Sequence, residues 1–340
     1  MIFVTGGTGL LGSHLLIELT KRGKNIRALK RKSSDLSEIK LLFKYYLKDV
    51  DLTLFNKIEW VNGDINDISI LPEKMKGCDT VYHCAGFVSF LKKDFKSLIK
   101  INKEGTANIV NTCLKLNIKT LSYVSSTAAI GRAEKQPIYT EKSKWVTSKS
   151  NSNYAVSKYL GEMEAWRGAK EGINVSIVNP SVILGAGNWN QSSLTLFKSI
   201  KQGLKFYTTG TNAFVDARDV AFCMVSLVEN GIFSERFLTV SENLKFKTLF
   251  ELIAQELNVK KPNIEVKPWM VGLAWRIEGI KCFFTRQKPQ VTEETSAAAM
   301  QISKYANQKI KKQLGFEFIS IKDSIKNAVA YQAFKKLNKN

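Results

Sequence analysis

The run Thr5-Gly6-Gly7-Thr8-Gly9-Leu10-Leu11-Gly12 restricts what this chain can become more than any other feature. It follows Ile2–Thr5, an apolar stretch that reads as a buried strand. It precedes Leu10–Arg22, an amphipathic helix stopped by Gly23. Glycines at 6, 9 and 12 permit a tight turn, close approach of a ligand to the backbone, and close packing of helix on strand. The helix N-terminus then offers free N–H groups and the positive end of its dipole, which together suit a pyrophosphate. A lone glycine triplet carries little weight; one set between a strand and a helix carries much more.

The alternation continues beyond it. Strands are expected at Ile26–Leu29, Ile58–Val61, Thr80–Cys84, Thr120–Val124 and Val175–Val178, with helices at Phe95–Leu116 and Tyr154–Lys170 between them. Such alternation predicts an α/β fold on a Rossmann-type, doubly wound parallel sheet. Past about Gly185 the pattern turns irregular. Helices are expected at Ser193–Lys201, Val220–Glu229, Thr248–Leu257, Trp269–Phe283 and from Ile321 onward, with short strands near Lys205–Tyr207 and Arg236–Val240. The expected division is a dinucleotide-binding unit over residues 1–185, to which 214–240 returns, and a smaller α+β substrate-binding region over 186–340.

Composition narrows the function classes. The net charge is +21, but the lysines are spread along the chain, with no dense run and no aromatic-interleaved basic motif. That favours a solvated basic surface over a nucleic-acid face. Cys78, Cys84, Cys113, Cys223 and Cys282 are scattered, without a C-x-x-C pair, which predicts reduced thiols and a cytoplasmic protein. His14 and His83 are too few for a His-rich site, so no metal is expected. The opening Met1-Ile2-Phe3-Val4-Thr5 lacks a charged leader, so no secretory signal is expected. The apolar stretch Trp269–Phe284 is interrupted by Arg276, Glu278 and Lys281 and falls short of the about 20 apolar residues a spanning helix needs. It reads as a substrate-region helix packed on the first unit, without stable membrane insertion.

The chemistry centres on Tyr154-Ala155-Val156-Ser157-Lys158. Four residues of helix put Tyr154 and Lys158 on one face, where an ammonium would stabilise the phenolate and lower its pKa. Ser125-Ser126-Thr127 closes the fifth strand and offers a hydroxyl to a reacting oxygen. His83-Cys84-Ala85-Gly86 closes the fourth, where small residues let a cofactor pass and His83 reads as packed or cofactor-adjacent. Leu29-Lys30-Arg31-Lys32-Ser33 ends the second strand without an acid to bond a ribose 2′-hydroxyl. Lys30 and Arg31 suit a 2′-phosphate instead, so NADP is expected over NAD. Asp64, beside Ile65 after the third strand, is placed to meet an adenine.

In these motifs the chain resembles the extended short-chain dehydrogenase/reductases, the family of NAD-dependent epimerases and dehydratases. Within it, the likeness is closer to the dihydroflavonol-reductase and 3β-hydroxysteroid-dehydrogenase branch. The resemblance covers nearly the whole chain. Besides the motifs above, it rests on Asn102 with Gly105-Thr106, Asn179-Pro180-Ser181, Gly185-Ala186-Gly187, the stretch from Phe214 to Val220 and the closing Lys309–Phe316 segment.

The resemblance implies that Tyr154 is the acid/base, that Lys158 orients the nicotinamide ribose and tunes Tyr154, and that Ser126, or Thr127 one register on, bonds the substrate oxygen. It implies cofactor contacts at Gly6, Gly9, Leu10, Leu11, Gly12, Asp64, Ile65, Cys84, Ala85, Gly86, Asn102, Pro180, Ser181 and Val182. The implied activity is NAD(P)-dependent oxidoreduction of a small molecule, in a chain that could pair as a homodimer. Phe87, Val88, Phe90, Trp189, Phe206 and Tyr207 suggest a mostly apolar ligand. The rivals are a nucleotide-sugar epimerase or dehydratase and a catalytically silent cofactor sensor. Asn179 in place of the Arg that sugar-nucleotide enzymes carry before the proline, and Thr127-Ala128-Ala129 without their Asp-Glu pair, count against the first. The intact Tyr154/Lys158 pair counts against the second.

Overall fold

The computed structural model describes residues 1–131, 136–148, 151–267, 270 and 299–338. The chain opens with β1 (Ile2–Thr5), α1 (Leu10–Lys21), β2 (Ile26–Lys30), α2 (Ser37–Leu47), β3 (Glu59–Asn62), α3 (Leu71–Met75) and β4 (Thr80–His83). It continues with α4 (Phe95–Leu98), α5 (Gly105–Lys115), β5 (Thr120–Val124), α6 (Asn153–Lys170) and β6 (Asn174–Pro180). Then come β7 (Val182–Leu184), α7 (Thr195–Lys201), β8 (Phe206–Tyr207), β9 (Thr211–Asp216), α8 (Ala217–Glu229) and β10 (Glu235–Thr239). The last elements are β11 (Glu242–Lys245), α9 (Phe246–Glu256), β12 (Ile264–Glu265), α10 (Gln308–Leu314) and α11 (Ile321–Leu337).

Seven parallel strands make the main sheet, in the order β10-β6-β5-β4-β1-β2-β3. Both faces are covered, so its inner strands are apolar along their length: Phe3, Val4, Val81, Leu121, Val175 and Ile177 are all fully buried. One face packs Leu15, Leu16, Phe43 and Met224 of α1, α2 and α8. The other packs Met75, Ile109, Cys113 and Ala165 of α3, α5 and α6. From β1 the chain steps outward to β2 and β3, then returns to β4 on the opposite side of β1. That reversal opens a crevice at the carboxyl ends of β1 and β4, where such sheets take their ligands.

The return to the main sheet begins at α8 rather than at Phe214. Phe214–Asp216 belongs to β9, which pairs with β7 and β11 in a separate three-stranded sheet, and β10 then joins β6. A further apolar cluster, including Leu184, Phe197, Phe214, Leu249 and Ile325, underlies this smaller part. The helix expected over Trp269–Phe283 lies outside the described residues, Met270 apart. No helix among the described residues is long and apolar enough to cross a membrane.

Phe95–Leu116 is not one regular helix. A π-helical stretch, Ile99–Glu104, separates α4 from α5. Such widened turns recur at functional sites, and this one carries Asn102. Against it lies α6, capped by Ser152, whose hydroxyl accepts from Ala155 N at 3.1 Å. The approach is close because residue 161 is glycine: a Cβ there would stand 2.3 Å from Asn102 O and 2.6 Å from Tyr123 Oη. Gly161→Ala is expected to cost about 1–3 kcal/mol, the range for overpacking a rigid contact. Urea unfolding reads it as a lower midpoint; an unchanged midpoint would mean that α6 has room to move.

Candidate active site

The glycine loop closes as its sequence demands. Gly6 has φ +70, and a Cβ on it would lie 2.5 Å from Ala85 N. A Cβ on Gly12 would lie 2.1 Å from Gly6 O, so α1, β1 and the end of β4 meet backbone to backbone. Gly9 N donates to Gly6 O at 3.0 Å, and Gly9 starts α1 without a side-chain cap. The first-turn N–H groups, those of Leu10 and Leu11 among them, have no intrahelical acceptor. A pyrophosphate fits such a place: donors and positive dipole converge where no side chain intrudes.

From β4 the chain passes through half-buried Cys84 and Ala85 and exposed Gly86. Burial pushes the Cys84 thiol up to about 12, which leaves it neutral. Asn102 clamps the next residue on both sides, accepting from Phe87 N at 2.8 Å and donating to Phe87 O at 2.9 Å. Its amide also donates to Ser157 Oγ at 2.9 Å. The fourth strand's loop is thereby tied to the residue preceding Lys158.

His83 is a strut. Thr106 Oγ1 donates its one proton to Asn102 O at 2.7 Å, so it accepts from His83 Nε2 at 3.1 Å. His83 Nδ1 therefore accepts from Thr5 Oγ1, at 2.6 Å. Burial first, and the Lys158 charge second, press its pKa down to about 3. The ring links β1 to α5 as a neutral tautomer and is no base.

At the carboxyl ends of β2 and β3, Lys30 Nζ donates to Asn62 Oδ1 at 2.8 Å and Arg31 is exposed. Asp64 Oδ1 accepts from Asn66 N at 2.9 Å and Asn66 Nδ2 at 2.8 Å, and Ile65 is buried beneath Gly105. Asp35, the first acid after β2, is engaged with Ser37. Pro180 closes β6; Ser181, buried, donates its N–H to Thr239 O at 3.2 Å, and Val182 opens β7.

The carboxyl end of β5 and the start of α6 gather three groups. Tyr154 enters at the first turn of α6 and faces the Ser126 hydroxyl, which extends from the carboxyl end of β5. Thr127 is buried in the turn behind it. Burial raises the Tyr154 phenol, and the Ser126 hydroxyl only partly offsets this. The lowering expected from Lys158 is thus not what prevails. Lys158 Nζ donates instead to Tyr123 Oη at 3.2 Å and Val124 O at 2.8 Å. Its own pKa falls to about 8, burial outweighing the opposite pull of Glu162 and Cys84.

Phe90 packs edge-on to Tyr154, ring centroids 5.7 Å apart, and Val88 beside it is 49% exposed. The other aromatics separate from them. Trp189 stacks on Phe197 in the core of the smaller part, and Phe206 and Tyr207 form β8. Glu162, which periodicity alone does not flag, lies fully buried one turn beyond Lys158; its signal is the spacing Tyr154, Lys158, Glu162 at intervals of four. No cluster of three or more metal-ligating side chains occurs among the described residues.

Known proteins share this fold. The model of the NAD dependent epimerase/dehydratase family matches residues 2–237. The chain belongs to that family. Dihydroflavonol 4-reductase of Callistephus chinensis is 29% identical over 288 residues, covering 80% of this chain and 76% of that protein. Sterol demethylase protein B of Methylococcus capsulatus is 24% identical over 334 residues, covering 96% and 97%. The crystal structure of gox2253 matches with a TM-score of 0.79 at 26% identity, over 100% of this chain and 99% of that one. As a family member with reductase-named relatives, the chain is an NAD(P)-dependent oxidoreductase of the short-chain dehydrogenase type.

The His83 strut carries a pH signature. Its folded pKa, about 3, lies below the ordinary 6.5, so the unfolded chain binds the extra proton first. Its contribution is fully present above about 6.5 and is lost as pH falls toward 3. Urea midpoints of the wild type should decline through that window, and His83→Gln should decline less. Parallel declines would show that His83 is not the group responsible.

Proposed function

We propose that this enzyme reduces a carbonyl on a mostly apolar small molecule to an alcohol, with NADPH as its cofactor and Tyr154 as general acid. The observation that carries the reading is the Tyr154 phenol facing the Ser126 hydroxyl, with Lys158 one turn along the helix, at the carboxyl ends of parallel strands. A phenol raised by burial stays protonated at neutral pH. It therefore suits the delivery of a proton more than its removal.

Gly6, Gly9 and Gly12 with the start of α1 would hold the pyrophosphate, and Lys30 and Arg31 the 2′-phosphate. NADPH, when bound, supplies the hydride that the carbonyl carbon receives. Tyr154 gives its proton to the carbonyl oxygen as negative charge develops there. Ser126 donates a hydrogen bond to the same oxygen, a preorganised donor aimed at the growing charge. Lys158, one helical turn beyond Tyr154, would turn its ammonium to the cofactor ribose. Phe90, packed on Tyr154, supports an apolar substrate. The names of the two relatives, one a dihydroflavonol reductase and one a sterol demethylase protein, point the same way. Free thiols at Cys78, Cys84, Cys113 and Cys223 support a reducing compartment such as the cytoplasm.

With a substrate found among aldehydes, ketones and nucleotide sugars, Tyr154→Phe should leave NADPH binding nearly intact and lower turnover by ~10²–10⁴-fold, the usual loss on removing a general acid. Near-normal turnover would remove Tyr154 from the chemistry.

For the cofactor, a charge-assisted bond to phosphate contributes roughly 1.5–3 kcal/mol, and ~1.4 kcal/mol is tenfold in affinity. NADPH should bind at least about tenfold tighter than NADH at low salt. Lys30→Asp with Arg31→Asn should erase or invert the ratio. Fluorescence titration decides it, and equal wild-type affinities would mean that both cations face only solvent.

A further inference from the structure

Tyr154, Lys158 and Glu162 follow one another at helical intervals along one face of α6. The reaction proposed above uses the first two. Glu162 is fully buried, and a buried carboxylate persists only where donors meet its oxygens. Here every bonded neighbour donates. Ser125 Oγ reaches Oε2 at 2.6 Å and Asn179 Nδ2 reaches it at 2.7 Å. Arg236 Nη1 reaches Oε1 at 3.0 Å and Trp166 Nε1 reaches it at 3.3 Å. Four donors on two oxygens form a socket for an acceptor-only group, which among side chains means an ionised carboxylate.

The bonds then run outward to the reacting end. Asn179 Nδ2 also donates to Ser126 O at 3.0 Å, so the amide that Glu162 holds in turn holds the residue facing Tyr154. Ser125, drawn to the same carboxylate oxygen, precedes it directly. On the far side, Arg236 donates to Glu141 O at 3.0 and 2.7 Å and to Ser143 O at 2.8 Å. That loop leads to Trp145, stacked on Tyr159 with centroids 4.4 Å apart. One carboxylate thus joins the ends of β5 and β6, strand β10, and the loop before α6.

We propose that Glu162 is a positioning residue for the proposed reduction: it holds Ser126 against Tyr154 and supplies buried negative charge one turn from the Lys158 ammonium. Lys158 faces Tyr123 from β5, His83 and Cys84 from β4 and the turn after it, and Tyr154 and Glu162 from its own helix. Burial keeps the first four of these uncharged near neutral pH. Glu162 is the member of this set that carries an anion, and it favours the protonated lysine.

Glu162→Gln preserves size but turns a donor toward donors. Titrating ¹³C-labelled lysines by NMR, with Lys158 assigned through Lys158→Arg, should show Lys158 losing its proton at a pH lower by roughly half a unit or more. Amide hydrogen exchange at residues 125–130 should quicken while the rest of the main sheet keeps its protection. With any carbonyl that is turned over, kcat should fall about tenfold, less than on removing the general acid itself, while KM for NADPH stays within about twofold. An unmoved Lys158 titration, or unchanged exchange at 125–130, overturns the proposal. Neither readout needs a substrate, so failure here is distinguishable from failure of the reductase reading. If Glu162→Gln does not fold, Ser125→Ala takes its place. It keeps the charge, so exchange at 126–130 should quicken with the Lys158 titration unmoved; unchanged exchange overturns the proposal.

Discussion

Backbone meets backbone where α1 crosses the ends of β1 and β4, and the rest of the site depends on that approach. The room for a Cβ on Gly12 is taken by the Gly6 carbonyl, and the room on Gly6 by the start of the β4 loop. Because these gaps are filled by main chain, α1 points its uncapped N-terminus at the crevice between the two strands. The same closeness recurs at Gly161, where α6 lies on the π-helical stretch that carries Asn102. Two helices are thus set against one sheet edge. In the proposed reaction the first presents N–H groups to a phosphate, and the second brings a phenol to the reacting oxygen and an ammonium to the cofactor ribose.

Burial then sorts the ionisable groups. Taken out of water, each favours its neutral form. Tyr154 keeps its proton more firmly, Lys158 holds its own less firmly, and His83 loses the capacity to be charged near neutrality. Glu162 differs in its surroundings, since four donors, the Arg236 guanidinium among them, meet its carboxylate. A protonated phenol with a lysine one helical turn along is the arrangement that the proposed reduction asks of the protein.

Much of this is legible in the sequence because it is local. The glycine spacing, β-branched runs and helical periodicity place β1 through β6 and α6 within a residue or two of their observed bounds. The Tyr154–Lys158 spacing brings both residues to one helix face. What local pattern does not reveal depends on distant partners. Strands β9 and β11 lie where strands and helices no longer alternate regularly, and they are held by pairing with each other. The π-helical stretch in Phe95–Leu116 accompanies a contact with Gly161 that lies far along the chain. Glu162 reads as an ordinary helix-surface acid until Ser125, Asn179 and Arg236, from three different strands or their ends, converge on it. The hydrogen bonds of Lys158 likewise depend on tertiary contact, since Tyr123 Oη and the Val124 carbonyl accept them.

The proposed reaction is net transfer of a hydride to a carbonyl carbon with Tyr154 supplying the proton. The most direct test supplies NADPH deuterated at the transferring carbon of the nicotinamide and follows the label by mass spectrometry. Carbonyl reduction should yield an alcohol carrying one deuterium on its carbinol carbon, formed in step with NADPH consumption and nearly lost in Tyr154→Phe. An epimerised product without deuterium and without consumption of the cofactor would contradict it.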